Sequence, residues 1–152
     1  MPNIQVNANS LYYCIKKPEK ETKATVLLIH GLGSSSTYYF PVIPYLTASI
    51  RCVAIDISGS GSSELGRYEQ SISSIVKDII GQLDALRIME RVTVIGHSMG
   101  GIVASQLAAC YGKRVHAVVL IGPVPPSDAI GKIFESRIQV LERGMSKPSV
   151  GA

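Results

Sequence analysis

The chain is poor in the residues that build disulfide frameworks, metal centres and membrane spans. Its three cysteines, Cys14, Cys52 and Cys110, are odd in number and widely spaced, with no CxxC pair and no metal-like spacing. They are expected to be reduced, packed within strands and a helix, and no metal or cofactor is expected. No apolar run approaches the length of a membrane span, and the N-terminal MPNIQVNANS lacks a basic segment followed by an apolar one. The expectation is a cytoplasmic protein with no membrane partner. Charge is not concentrated either. Fifteen Lys and Arg against eleven Asp and Glu give +4, scattered over positions such as Lys16, Lys17, Arg87, Arg91, Lys113 and Arg114, which argues against nucleic acid as a partner. Histidine occurs three times, at His30, His97 and His116. No internal repeat or low-complexity segment is visible.

What is present is a core. With 46% hydrophobic residues, 152 residues make one domain's worth of chain. Val26 to Ile29, Cys52 to Ile55, Val92 to Ile95 and Val118 to Ile121 are near-continuous apolar runs, the pattern of parallel strands buried on both faces. Ile4 to Val6 and Leu11 to Ile15, separated by Asn7-Ala8-Asn9-Ser10, read as antiparallel edge strands. Between Ser71 and Ile88, Ile72, Ile75, Val76, Ile79, Ile80, Leu83 and Leu86 repeat at helical spacing. Met99 to Cys110 reads as a helix with a small-residue face, and Tyr38 to Ala48 as a weaker helix interrupted by Pro41 and Pro44. After Pro123-Val124-Pro125-Pro126, Ser127 looks like an N-cap. Ile130, Ile133, Phe134, Ile138 and Leu141 give the helix that follows an apolar face, and Gly144 would end it. Strands alternating with helices imply a mostly parallel α/β sheet covered on both faces.

Three loops carry the chemistry. Gly96-His97-Ser98-Met99-Gly100 joins an apolar strand to a helix. Alone, GxSxG could be a structural turn; in this setting it reads as a nucleophile elbow, with Ser98 exposed as a catalytic nucleophile. A serine hydroxyl also needs a base and oxyanion donors. The backbone N–H of Met99, at a helix N-terminus, is one candidate donor. His30-Gly31-Leu32-Gly33 follows another buried strand, and its glycines leave the N–H of Leu32 free to be the second. His30 reads as a loop-fixing residue and His97 as a side chain that packs locally; Gly31, Gly33, Gly96 and Gly100 shape the site. Asp56-Ile57-Ser58-Gly59-Ser60-Gly61-Ser62-Ser63 lacks the Lys-Ser/Thr of a phosphate cradle, so it reads as a structural loop in which Asp56 caps or turns the chain.

HGLGSSS at 30 to 36, DISGSGSS at 56 to 63 and GHSMGG at 96 to 101, each after a buried strand, together resemble the α/β-hydrolase superfamily. The stretch from Leu120 to Gly144, with LIGPVPPS leading into an amphipathic helix, is similar to fungal 3-oxoadipate enol-lactonases. The resemblance maps Ser98 to the nucleophile and Leu32 and Met99 to the oxyanion-hole amides. It implies an α/β-hydrolase fold truncated after its sixth strand: a core over 1–126, then the start of a cap over 127–152, with a helix over 127–143 and a tail. That helix could shape a substrate pocket or bury its apolar face on the sheet.

In this fold the acid and then the histidine follow the nucleophile in sequence. After Ser98 the only histidine is His116, which opens the sixth strand at the end opposite the ligand-binding edge. Asp128 is the acid a variant of the fold would nominate, and reads instead as first-turn charge on the last helix. The expected function is hydrolysis of a small carboxylic ester or lactone, weak or absent in this chain. The alternative is a non-catalytic fragment that binds partners, or itself, through an exposed strand at 118–121.

Overall fold

The computed structural model describes residues 2–18, 21–46, 48–125 and 127–142. The six strands are β1 (Asn3–Val6), β2 (Asn9–Lys16), β3 (Ala24–Ile29), β4 (Ile50–Ile55), β5 (Val92–His97) and β6 (Val115–Ile121). They lie in one sheet in the order β1-β2-β4-β3-β5-β6. β1, β2 and β4 pair antiparallel, whereas β4, β3, β5 and β6 are parallel. The central strands β3 and β4 alternate their side chains between two cores, as a pleated strand must. Leu27, Ile29, Val53 and Ile55 face α2 (Ile72–Ala85) and α3 (Met99–Cys110). Val26, Leu28, Cys52 and Ala54 face the other way, against Tyr39 and Ile43. The apolar runs of the sequence are thus buried on both faces where a neighbour covers both.

α2 begins where Ser71 caps it. The Ser71 hydroxyl accepts from the Ser74 N–H, and the Ser74 hydroxyl accepts from the Ser71 N–H, a reciprocal capping box. Ser127 caps α4 (Asp128–Glu142) in one direction only, its hydroxyl accepting from the Ile130 N–H at 3.3 Å. Asp128 lies in the first turn of α4, as anticipated. Arg143, Gly144 and the tail lie outside the described residues.

Three expectations need correction. The region Tyr38 to Ala48 is not one helix but a 3₁₀ turn, Ser36–Tyr39, and a single α-turn, α1 (Ile43–Leu46). Pro41 lacks the N–H that would carry a helix through. The run 118–121 is not buried on both faces but is the exposed strand also anticipated: β6 is an edge strand, and Val119, Leu120 and Ile121 are 44%, 44% and 41% exposed. Nor are all three cysteines core residues. Cys52 is buried and Cys14 half-buried, but Cys110 is exposed in the last turn of α3, beyond the last buried residue, Leu107. Among the described residues no helix is long and apolar enough to cross a membrane.

Candidate functional site

Ser98 lies between β5 and α3 with φ 53° and ψ −119°, a conformation non-glycine residues rarely adopt. Its N–H donates to the Ile121 carbonyl at 3.0 Å, and its carbonyl accepts from the Gly101 N–H at 2.9 Å. The sharp turn is possible because nothing but backbone passes through it. A Cβ on Gly96 would lie 2.7 Å from the Gly101 nitrogen, and one on Gly100 would lie 2.6 Å from the His30 carbonyl oxygen. Both approaches are closer than any side chain tolerates, so α3 can start against the ends of β3 and β5 only with glycine at these positions.

The loop after β3 brings its own residues to the same place. A Cβ on Gly31 would lie 3.1 Å from the Ser98 Cβ, so the two loops touch there, and Gly33 has φ +72°. Leu32 and Met99 flank Ser98 in one cavity of about 390 Å³, walled on the far side by Ile102 of α3, Val124 and Ile130 of α4. Among the described residues the Leu32 amide donates to no chain acceptor. The Met99 amide, at the first position of α3, has no acceptor in its own helix. The structure therefore gathers Ser98, Leu32, Met99 and the four glycines into one locality.

The three histidines are in three different settings. His30 is fully buried, and its Nδ1–H donates to the Gly31 carbonyl at 2.8 Å while Nε2 accepts from the Ile57 N–H at 3.0 Å. A carbonyl can only accept and an N–H can only donate, so the ring is the neutral Nδ1–H tautomer with both nitrogens engaged. Burial holds its pKa below the usual histidine range. His97 stacks on Tyr38, ring centroids 4.4 Å apart, and its buried Nδ1 has no hydrogen-bond partner among the described residues. His116 lines a groove with Lys23, Arg51 and Glu90 near the start of β6, away from Ser98.

Asp56 ties the loops under the site together. Its carboxylate, in a residue only 2% exposed, accepts from the Ser36 N–H at 2.6 Å and from the Ser62 N–H at 2.8 Å, while its own carbonyl accepts from the Ser63 hydroxyl at 2.6 Å. It thus caps two segments rather than one. Tyr39 adds a second tie, its hydroxyl donating to the Ile29 carbonyl at 2.9 Å, and burial pushes its pKa up to about 12. The stacked Tyr38 and the tie through Tyr39 are not read from the sequence, whereas the α4 wall of the cavity is one of the two placements anticipated for the last helix. The amphipathic helix after LIGPVPPS was the signal for that wall.

Comparisons with known proteins bear on what such a site does. The sequence model of a family described as "alpha/beta hydrolase fold" matches residues 24–148. The chain is 30% identical over 101 residues to a pimeloyl-[acyl-carrier protein] methyl ester esterase of Aeromonas hydrophila, covering 66% of this chain and 38% of the esterase. The crystal structure of the enol-lactonase from Burkholderia xenovorans LB400 superposes with a TM-score of 0.72 at 28% identity, over 77% of this chain and 45% of that one. A hydrolase from Pseudomonas aeruginosa shares the fold with a TM-score of 0.81 at 23% identity, over 92% of this chain and 52% of that one. The chain thus spans about half or less of the length of these relatives.

Proposed function

The chain belongs to the α/β-hydrolase family, and from that premise we propose that it carries the nucleophile half of a serine hydrolase acting on a small carboxylic ester or lactone. The observation that carries this reading is the juxtaposition at the elbow: a strained Ser98 on a cavity it shares with Leu32 and Met99, two residues whose amides have no acceptor in their own segments. In this reading Ser98 Oγ attacks the substrate carbonyl carbon, and the carbonyl oxygen, becoming an oxyanion, takes hydrogen bonds from the Leu32 and Met99 N–H groups. Collapse of the tetrahedral intermediate expels the alkoxide, and water then releases the acid from the acyl-serine.

The Ser98 proton needs a base, and the described histidines are poorly disposed to take it. Both ring nitrogens of His30 are committed to backbone groups, His97 is held against Tyr38, and His116 is remote. Activity in this chain is therefore weak or absent, with what remains coming from the oxyanion donors and binding. The test is labelling of the folded chain by a fluorophosphonate together with turnover of an activated ester. Modification at Ser98, lost in Ser98→Ala, supports the reading whatever the turnover; no labelling at Ser98 overturns it.

A second reading is favoured by one observation, the exposed apolar side chains of β6 at the sheet edge. An uncovered edge pairs readily with another strand. In that reading the chain is a non-catalytic fragment that binds a partner or a second copy along 118–121. Concentration-dependent self-association, abolished by Val119→Lys, would support it.

A further inference from the structure

One face of β2 is left partly uncovered beside α1. Alternate residues of a strand point to opposite sides of the sheet. Tyr13 and Ile15 pack on the core beneath α2 and α3, whereas Cys14 packs on the opposite core, with Cys52 and Ala54 of β4. Tyr12 and Lys16, two positions before and after Cys14, share its face. Tyr39 and Ile43, from the segment that covers this face, reach inward over β3 and β4. Between that segment and β2 lies a cavity of about 520 Å³, a size common among small-ligand sites. Its β2 side is Tyr12, Cys14 and Lys16, with Lys17 just past the strand end, and its other wall is Phe40, Ile43 and Pro44. No lining residue is shared with the Ser98 cavity.

The lining carries charge of one sign only. Among the described residues neither lysine forms an ion pair and the Tyr12 hydroxyl makes no hydrogen bond, and no carboxylate lines the cavity. Donors therefore stand along the β2 side, the two ammonium groups at one end and the phenol at the other, with the Tyr12 and Lys16 backbones about 13 Å apart at the rise of a strand. The facing wall is apolar. We propose that this cleft binds an amphiphilic carboxylate, its head on Lys16 and Lys17 and its aliphatic body laid along Cys14 against Phe40, Ile43 and Pro44. Selectivity comes from the sign of charge: two exposed ion pairs favour the anion over a neutral amphiphile of the same length by about fivefold. The cleft is independent of what Ser98 does.

Cys14 reports its occupancy. The thiol is half-buried in the cleft, while Cys110 is exposed on α3, lines no part of it and serves as an internal control. The full chain is alkylated with N-ethylmaleimide, with and without octanoate, octanol or octylammonium, and the rate at each cysteine is read by peptide mass. Millimolar octanoate should slow Cys14 and leave Cys110 unchanged, with an apparent affinity about fivefold above that of octanol and octylammonium weaker still. In Lys16→Glu/Lys17→Glu, two exposed positions, the order should reverse, octylammonium then protecting best. Phe40→Ser, also at an exposed position, should weaken octanoate and octanol alike. Equal protection by octanoate and octanol, an order unchanged in the double variant, or no protection of Cys14 overturns the proposal. Co-sedimentation with phosphatidylglycerol vesicles without a response to octanoate overturns it too, because the face is then a lipid-surface contact. Where Cys14 resists alkylation, NMR of the Ile43 methyls decides: shifts with octanoate at concentrations where octanol causes none uphold the site, and no shift overturns it.

Discussion

Replacing Ser98 by glycine should stabilise the fold while destroying its chemistry. The backbone at Ser98 has φ 53° and ψ −119°, and a non-glycine residue held in such a region costs about 1–3 kcal/mol. Glycine removes that strain but adds about 0.5–1 kcal/mol of unfolded-chain entropy, so the net gain for Ser98→Gly is about 1 kcal/mol. Ser98→Ala is the necessary control, because it deletes the hydroxyl and keeps the Cβ that generates the strain. Its stability should match the unsubstituted chain within a few tenths of a kcal/mol, since no described partner hydrogen-bonds that hydroxyl. Urea unfolding of the three proteins, compared at a common m-value, reads the difference; for a chain of this size 1 kcal/mol is about 2–4 °C in Tm. The reasoning is refuted if Ser98→Gly is no more stable than Ser98→Ala, because the turn would then be unstrained.

Two further outcomes follow from the loops beneath the serine. Asp56→Ala strands the Ser36 and Ser62 N–H donors and should cost about 2–5 kcal/mol, whereas Asp56→Asn, keeping one acceptor oxygen, should cost roughly half as much; denaturant midpoints check both. His30 is neutral in the fold with its pKa held below the usual value by burial, so the unfolded chain takes up its proton first. Its contribution to stability is present above about pH 6.5 and is lost progressively as pH falls through that value towards the folded pKa. Unfolding free energies at pH 7.5 and 5, with an NMR titration of the His30 ring, test this, and a His30 pKa at or above the ordinary histidine value would contradict it.

The parts of the structure legible in the sequence are those with local causes. Glycine at 96 and 100 around a serine, after an apolar strand, marks the strand-to-helix turn in the sequence: the collisions that Gly96 avoids are with Gly100 and Gly101 just along the chain, whereas those that Gly100 avoids are with Ile29 and His30 at the distant end of β3 and leave no local trace. The helical period from Ile72 to Leu83 reveals the buried face of α2 because its spacing is local. What escaped has distant causes. Asp78 and Gln82 also point inward from α2, because the Tyr68 hydroxyl donates to the Asp78 carboxylate and Gln82 Nε2 donates to the Tyr12 carbonyl at 3.3 Å, seventy residues back along the chain. A pattern of apolar spacing carries no trace of either partner. The exposed edge at β6 is anticipated, but from the order of the strands and not from its own composition, which matches that of the buried strands.

The way the site is held also explains how the turn at Ser98, a nucleophile elbow in the proposed reading, can persist where no described histidine engages it. Every restraint on Ser98 is backbone-level: its N–H on the Ile121 carbonyl, its carbonyl on the Gly101 N–H, and the approach of Gly100 to the end of β3. The neighbouring loops are fastened independently by Asp56, His30 and Tyr39, whose hydrogen bonds also run to backbone groups. None of these restraints calls on a catalytic base or acid. The strain at Ser98 is therefore sustained by strand pairing and glycine contacts that form with the core, so the elbow and its flanking amides are in place as soon as β3, β5, β6 and α3 have packed. In the proposed serine hydrolase reading, a base delivered to Ser98 from any source would find the hydroxyl already oriented, and its arrival would change the rate of hydrolysis without changing the geometry of the turn.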